Sequence, residues 1–184
     1  MNFLKLHLES TQQYFSAPYD TAQKDTFPTE SVPTANVIVG MIGRAMGLPR
    51  GHAEMDRMKE QMIIKYRNVR NAPPLVKAEF RVTRPLTRKY ADIQNPNDTP
   101  VFRKMDGSTE NRSQMKNIEF VQDAAYDVYV GGSDDELLKI HNALAHPYWP
   151  VYIGRAQCVP TRVIVGPNPE IIAEEDLPNV QNCP

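Results

Sequence analysis

Cysteine is scarce in this chain: Cys158 and Cys183 are the only two, far apart and without a C-x-x-C partner. A disulfide framework needs cysteines in number and a structural zinc site needs them in pairs, so neither organises this protein. Long apolar runs are missing too. None approaches the ~20 residues that a membrane-crossing helix requires, so no membrane partner is expected. A cleavable leader would open on an apolar core, whereas Leu4, Leu6 and Leu8 alternate with Lys5, His7 and Glu9. A reducing, cytoplasmic setting is the expectation. Catalytic signatures are lacking as well. His7, His52, His141 and His146 show no metal-ligand spacing beyond the loose couple His141/His146, and neither a nucleophile-elbow nor a P-loop pattern occurs. No cofactor, no metal and no catalytic residue is therefore assigned. A metal-independent ribonuclease needs only a His, a Tyr and a Lys at no fixed spacing, and it stays open as the alternative function.

Charge is present but unevenly spread. The net charge of −1 hides 16 basic against 8 acidic residues between Arg44 and Lys116. Residues 167–184 carry Glu170, Glu174, Glu175 and Asp176 and no base. A basic middle behind an acidic C-terminal tail is the electrostatic footprint of a nucleic-acid binder, and equally of a solvated surface. The 184 residues, 41% of them apolar, fit one domain, and 16 prolines favour strand ends and loops over a helical bundle.

Periodicity supplies the elements. Leu4, Leu6 and Leu8 predict a half-buried opening strand. Residues 10–33, rich in Ser, Thr, Gln and Pro, predict a long loop. Val37, Ile38, Met41, Ile42, Ala45 and Met46 make one helical face over residues 35–48, with Thr34 at the N-cap. A Met-rich helix follows over 52–62, then strands over 63–69 and 76–82. Residues 84–117 have no sustained period and predict an excursion out of the domain. The core resumes at Ile118 with a strand through Val130. Ser133-Asp134-Asp135-Glu136 is a capping box opening a helix that Pro147 ends. Residues 151–153 and 163–165 predict two short strands. This order favours an α+β domain, a modified ferredoxin-like or RRM-like sheet with helices on one face. Such sheets often take single-stranded RNA on the open face.

Three places are candidate RNA contacts, each with a plainer alternative. Gly40, Gly43 and Gly47 recur in the first helix, where each costs up to ~1 kcal/mol; either another backbone approaches closely or the helix packs tightly on the sheet. Arg44 and Arg50 beside them are placed for phosphates. In residues 147–160, a Gly154-Arg155 turn bounded by prolines has backbone N–H groups and a guanidinium suited to phosphate, with Trp149 and Tyr152 as stacking rings; alternatively both rings are core and Arg155 is a surface ion-pair residue. The excursion carries Arg84, Arg88, Lys89, Arg103, Lys104, Arg112 and Lys116, a basic arm that folds on RNA or an ordinary solvated loop.

These residues resemble a known family in three blocks: Pro33-Thr34 with Gly40-Met41-Ile42-Gly43, Ala45-Met46-Gly47-Leu48 and Arg50; residues 120–128; and residues 143–160 with Tyr152-Ile153-Gly154-Arg155. In this order they resemble the CRISPR-associated Cas-five (CasD) family, nearest its type I-E branch. The resemblance implies a modified RRM-like (RAMP) fold with a thumb at residues 84–117. It implies a non-catalytic subunit of Cascade that binds the 5′ handle of the crRNA. Its partners would be the first backbone subunit and the large subunit, with target DNA reached through the complex. It extends the RNA-binding set to Thr34, Asn36, Gln157 and Cys158. In type I-C relatives the same subunit is a ribonuclease. Relatives continue with more strand beyond the position of Gly166, so a C-terminally compact variant is expected.

Overall fold

Alternation along the first strand sets the core. The computed structural model describes residues 1–16, 26–70, 72–83, 102–103, 109–110 and 114–184. Along the chain come β1 (Asn2–Gln13), β2 (Phe15–Ser16), β3 (Thr26–Phe27), β4 (Thr29–Glu30), α1 (Ala35–Ala45), α2 (Ala53–Gln61), β5 (Ile63–Asn68), β6 (Leu75–Thr83), β7 (Phe102–Arg103), β8 (Thr109–Glu110), β9 (Gln114–Gly132), α3 (Asp134–Ala145), β10 (Ile171–Ala173) and β11 (Gln181–Asn182). Leu4, Leu6 and Leu8 lie opposite Val130, Val128 and Tyr126 of β9. Beyond β9, Ile64 and Tyr66 of β5 continue the first two of these rows. All of these side chains are buried, and α1 and α3 close over them through Val37, Ile38, Met41, Ile42, Leu137, Ile140 and Leu144. Each buried aliphatic side chain stabilises the fold by roughly 1.5–3 kcal/mol.

The main sheet runs β10-β1-β9-β5-β11, antiparallel throughout, with β3 (parallel) and β6 (antiparallel) also on β9. This α+β arrangement is compatible with an RRM-like fold. β9 serves two partners in turn along one side: β6 up to Gln122, then β5 from Tyr126. Between them Asp123 takes a positive φ of 48°, where the strand changes neighbours. The capping box forms as the sequence requires, with the Glu136 carboxylate accepting from both Ser133 N and Oγ.

Several expectations are corrected. Residues 10–33 are not one loop: β1 runs on to Gln13, and β2 pairs β4. Residues 151–153 and 163–165 are not strands. They bond singly to β1 and the residue after it, Ile164 O accepting from His7 N and Ile153 O from Tyr14 N. Pro150, Pro160 and Pro167 interrupt the donors that a continuous ladder needs. The last residues expected in the excursion, 114–117, are the start of β9, paired with β6 from Phe80 to Thr83. Phe80 and Met115 stay exposed on this ribbon, so no buried face imposed a readable period there. The rest of the expected thumb, residues 84–101, 104–108 and 111–113, lies outside the described residues; β7 and β8 between them form a two-stranded pair. The acidic segment 167–184 returns to the sheet as β10 on β1 and β11 on β5.

Candidate nucleic-acid interface

Helix α1 ends in a Schellman motif, which shapes one wall of the site. Gly47 at φ +76° gives its N–H to Arg44 O, and Leu48 N reaches Gly43 O at 2.8 Å. The chain then turns through Gly51 into α2, whose N-cap is His52, its Nδ1 accepting from Glu54 N at 3.2 Å. Gly43 faces Met55 of α2, whose side chain stands 3.0 Å from where a Cβ would sit. The three glycines therefore do different work: Gly43 admits α2, Gly47 ends the helix, and Gly40 faces open space.

That open space is a groove of about 730 Å³ between α1, α2 and residues 149–156. Its lining includes Asn36, Gly40, Arg44, Arg50, Trp149, Tyr152 and Gly154, all expected as RNA contacts from places far apart in the sequence. Arg44 donates from Nε to Pro150 O at 2.5 Å, and its guanidinium lies 5.1 Å from the Tyr152 ring centroid. Arg44 is thereby held in place while remaining exposed. Trp149 meets Tyr148 edge to face, with ring centroids 5.2 Å apart. Among the described lining residues, Arg44, Arg50 and Lys59 confront a single acid, Asp56. Guanidinium groups beside half-exposed rings suit phosphates and bases together.

The other expected residues fall elsewhere. Arg155 stacks on Tyr14, and Gln157 is exposed at the loop tip. Cys158 is buried, and burial pushes its thiol up. Its backbone closes the loop, Cys158 N bonding Arg155 O and Cys158 O accepting from Ile153 N, both at 2.8 Å. Thr34 is the N-cap of α1 by position, but its buried hydroxyl makes no cap bond. Arg84, Arg88, Lys89, Lys104 and Arg112 lie outside the described residues, and of Arg103 only the backbone position in β7 is described. Tyr14 and Lys59 of the lining were missed. Tyr14 follows the last residue of β1 and Lys59 sits in the polar stretch of α2, so no local pattern marks either.

The open face of the sheet is roofed by its own charges. Phe3 and Tyr129 are buried there, with Lys65 over the Phe3 ring at 4.9 Å. Asp127 bonds His7 Nδ1 at 3.1 Å and Arg67 Nη2 at 2.8 Å, and Glu9 takes His7 Nε2 at 3.2 Å. Burial alone would push the Asp127 carboxyl up. The bonds from His7 and Arg67, with the charges of Lys5 and Arg67, outweigh it and hold the carboxyl low. These two rings are covered and offer a base nothing to stack on, whereas the groove on the helical side has rings within reach. Among the described residues no cluster of His, Cys, Asp and Glu is fit to hold a metal ion. No described helix is long and apolar enough to cross a membrane.

Two solved structures share this architecture. One titled "CRISPR RNA-guided surveillance complex" superposes with a TM-score of 0.69 and 22% identity, covering 88% of this chain and 61% of that one. A second, "Crystal structure of Cas protein", gives 0.61 and 20%, covering 95% of this chain and 67% of that one. No curated protein matches the chain. The family model "CRISPR-associated protein (Cas_Cas5)" matches residues 3–182, taking in β1, the groove and the returning C-terminal segment alike. With that match over nearly the whole chain, this protein belongs to the CRISPR-associated Cas_Cas5 family.

Proposed function

We propose that this chain is a non-catalytic subunit of an RNA-guided CRISPR surveillance complex and that its groove holds the 5′ handle of the guide RNA. The observation that carries this reading is the groove itself. Two of the three family-like blocks supply its opposite walls, one giving Arg44 and Arg50 and the other Trp149 and Tyr152. A single strand threads such a site by setting bases on the rings and phosphates on the guanidinium groups. The sheet order β10-β1-β9-β5 supports the ferredoxin-like reading of the domain. Residues 84–117, which lie in sequence between β6 and the main length of β9, are proposed as the thumb. The backbone subunit and the large subunit are the proposed protein partners, with target DNA met through them.

The non-catalytic reading is supported by the histidines, whose structural places are accounted for. His7 bridges Asp127 and Glu9, His52 caps α2, buried His141 bonds Gly166 O at 3.0 Å, and His146 is the C-cap of α3. Co-expression with a CRISPR repeat-spacer RNA and a separate repeat-processing ribonuclease, followed by mass analysis of what co-purifies, tests the function. A short RNA with one uniform 5′ end is expected; recovery of no RNA overturns handle binding. Incubation of the pure protein with the repeat RNA should leave it intact, and cleavage abolished by changing His52, His141 or His146 would replace this reading with the ribonuclease.

A further inference from the structure

Basic residues in this molecule are held in two different ways, some by carboxylates and some by aromatic rings. On the open sheet face they meet carboxylates: Lys5 meets Glu170 at 3.1 Å, Lys65 meets Glu174 at 3.3 Å, and Arg67 meets Asp127 at 2.8 Å. Beside the groove Lys59 meets Asp56 at 3.9 Å and, on the ribbon, Arg81 meets Glu79 at 2.7 Å, but Arg155 and Lys116 are held by aromatic rings. The Arg155 guanidinium carbon lies 4.0 Å from the Tyr14 centroid and 4.9 Å from the Phe27 centroid. Lys116 Nζ lies 5.5 Å from the same Phe27 ring. Tyr14, Arg155, Phe27 and Lys116 thus alternate ring and cation.

The distinction matters for an incoming anion. A carboxylate cancels the charge it pairs with, whereas a ring holds a cation through its quadrupole and leaves the net charge in place. Rings against the guanidinium plane also leave its N–H edge directed outward, the edge that grips phosphate by two parallel bonds. The stack begins in the groove, since Tyr14 lines it. It ends on the ribbon, where Lys116 pairs in register with Arg81. Gly154 fixes the Arg155 end, its backbone lying against the Tyr14 carbonyl.

We propose that Tyr14, Arg155, Phe27 and Lys116 form a phosphate track along which single-stranded RNA leaves the groove toward the β6–β9 ribbon. Arg155 clamps one phosphate with its in-plane N–H groups, and Lys116 neutralises another as a point charge. The proposal rests on the groove being the RNA site and adds the direction of the strand and the residues that follow its backbone.

The test is binding of the full chain to a fluorescent single-stranded oligoribonucleotide, read by anisotropy over a range of salt concentrations. For every phosphate that a variant no longer neutralises, the log-log salt slope should flatten by about 0.7. Lys116→Gln and Arg155→Gln are each expected to show that change, and the double variant about twice it. Phe27→Leu removes a ring but no charge and is expected to weaken binding roughly 2–5-fold. Arg155→Lys should keep the slope and lower the affinity, because it retains charge without the fork. Should Arg155→Gln misfold, Lys116→Gln on the largely exposed ribbon decides alone. Wild-type slopes in the Gln variants, alongside weakened binding by Arg44→Ala, overturn the track and leave the groove reading standing. Wild-type slope and affinity in all of these variants, Arg44→Ala included, overturn both.

Discussion

Gly154 rests so close to Tyr14 that a Cβ built on it would collide with the Tyr14 carbonyl oxygen. Its φ of +93° is also one that other residues rarely adopt. With Tyr14 N bonded to Ile153 O at 3.1 Å, this contact seats the loop on the end of β1 and carries Arg155 onto the Tyr14 ring.

Gly154→Ala should therefore destabilise the fold by two additive effects, the strained backbone and the steric clash, together about 2–5 kcal/mol. Gly51 is the control. Its φ is +80° but nothing lies within 4 Å, so Gly51→Ala should cost only the backbone part, about 1–2 kcal/mol. Urea unfolding of both variants measures the difference, and equal destabilisation would remove the role given to the Tyr14 contact.

Asp127 links the protein's stability to acid. Its carboxyl is held below the ordinary value in the folded state, so its stabilisation is complete above the unfolded value of about 4 and is lost as pH falls through the lower folded value. Wild type should lose stability steadily below about pH 4. Asp127→Asn should flatten that part of the profile and cost about 1–3 kcal/mol at pH 7, because the amide keeps only one acceptor oxygen and no charge for the two groups, His7 and Arg67, that the carboxylate bonds. Thermal unfolding between pH 2 and 7 checks both.

Within the groove, Tyr152→Ala and Trp149→Ala should each weaken handle binding by about 1–3 kcal/mol by removing a stacking ring. Arg44→Ala should cost about 1.5–3 kcal/mol by removing a charge-assisted bond. Fluorescence titrations of wild type and the three variants give these values directly. The ring variants should leave the salt slope unchanged, while Arg44→Ala should reduce it.

Deleting residues 89–113 should leave β1, β5, β9 and the three helices folded, since none of their buried side chains lies in that stretch. The variant should give the wild-type circular dichroism of the core yet fail to enter a guide-loaded complex on co-purification. Normal yield of that complex would overturn the thumb reading of residues 84–113.

Much of the fold lay in short-range chemistry. Leu4, Leu6 and Leu8 announced the buried face of β1 and Ser133 with Glu136 announced the start of α3, because periodicity and capping are local properties. The end of α1 at Ala45 was not legible, since Gly47 falls inside the helix expected over residues 35–48. The sequence also named Arg44 and Arg50 in one candidate RNA-contact place and Trp149 and Tyr152 in another. What no local pattern carried was their meeting place. Only the packing of α2 on Gly43 and of Gly154 on Tyr14 makes the groove, and only the fold brings Phe27 and Lys116 to Arg155. The same holds for the opposite face. Lys5, His7 and Glu9 are polar in sequence, but their pairing with residues of β5, β9 and the C-terminal segment decides that this face is roofed and the helical side open. Ion pairs and cation–ring contacts join residues distant in the chain, so tertiary structure alone could sort this protein's bases into those that are neutralised and those that keep their charge.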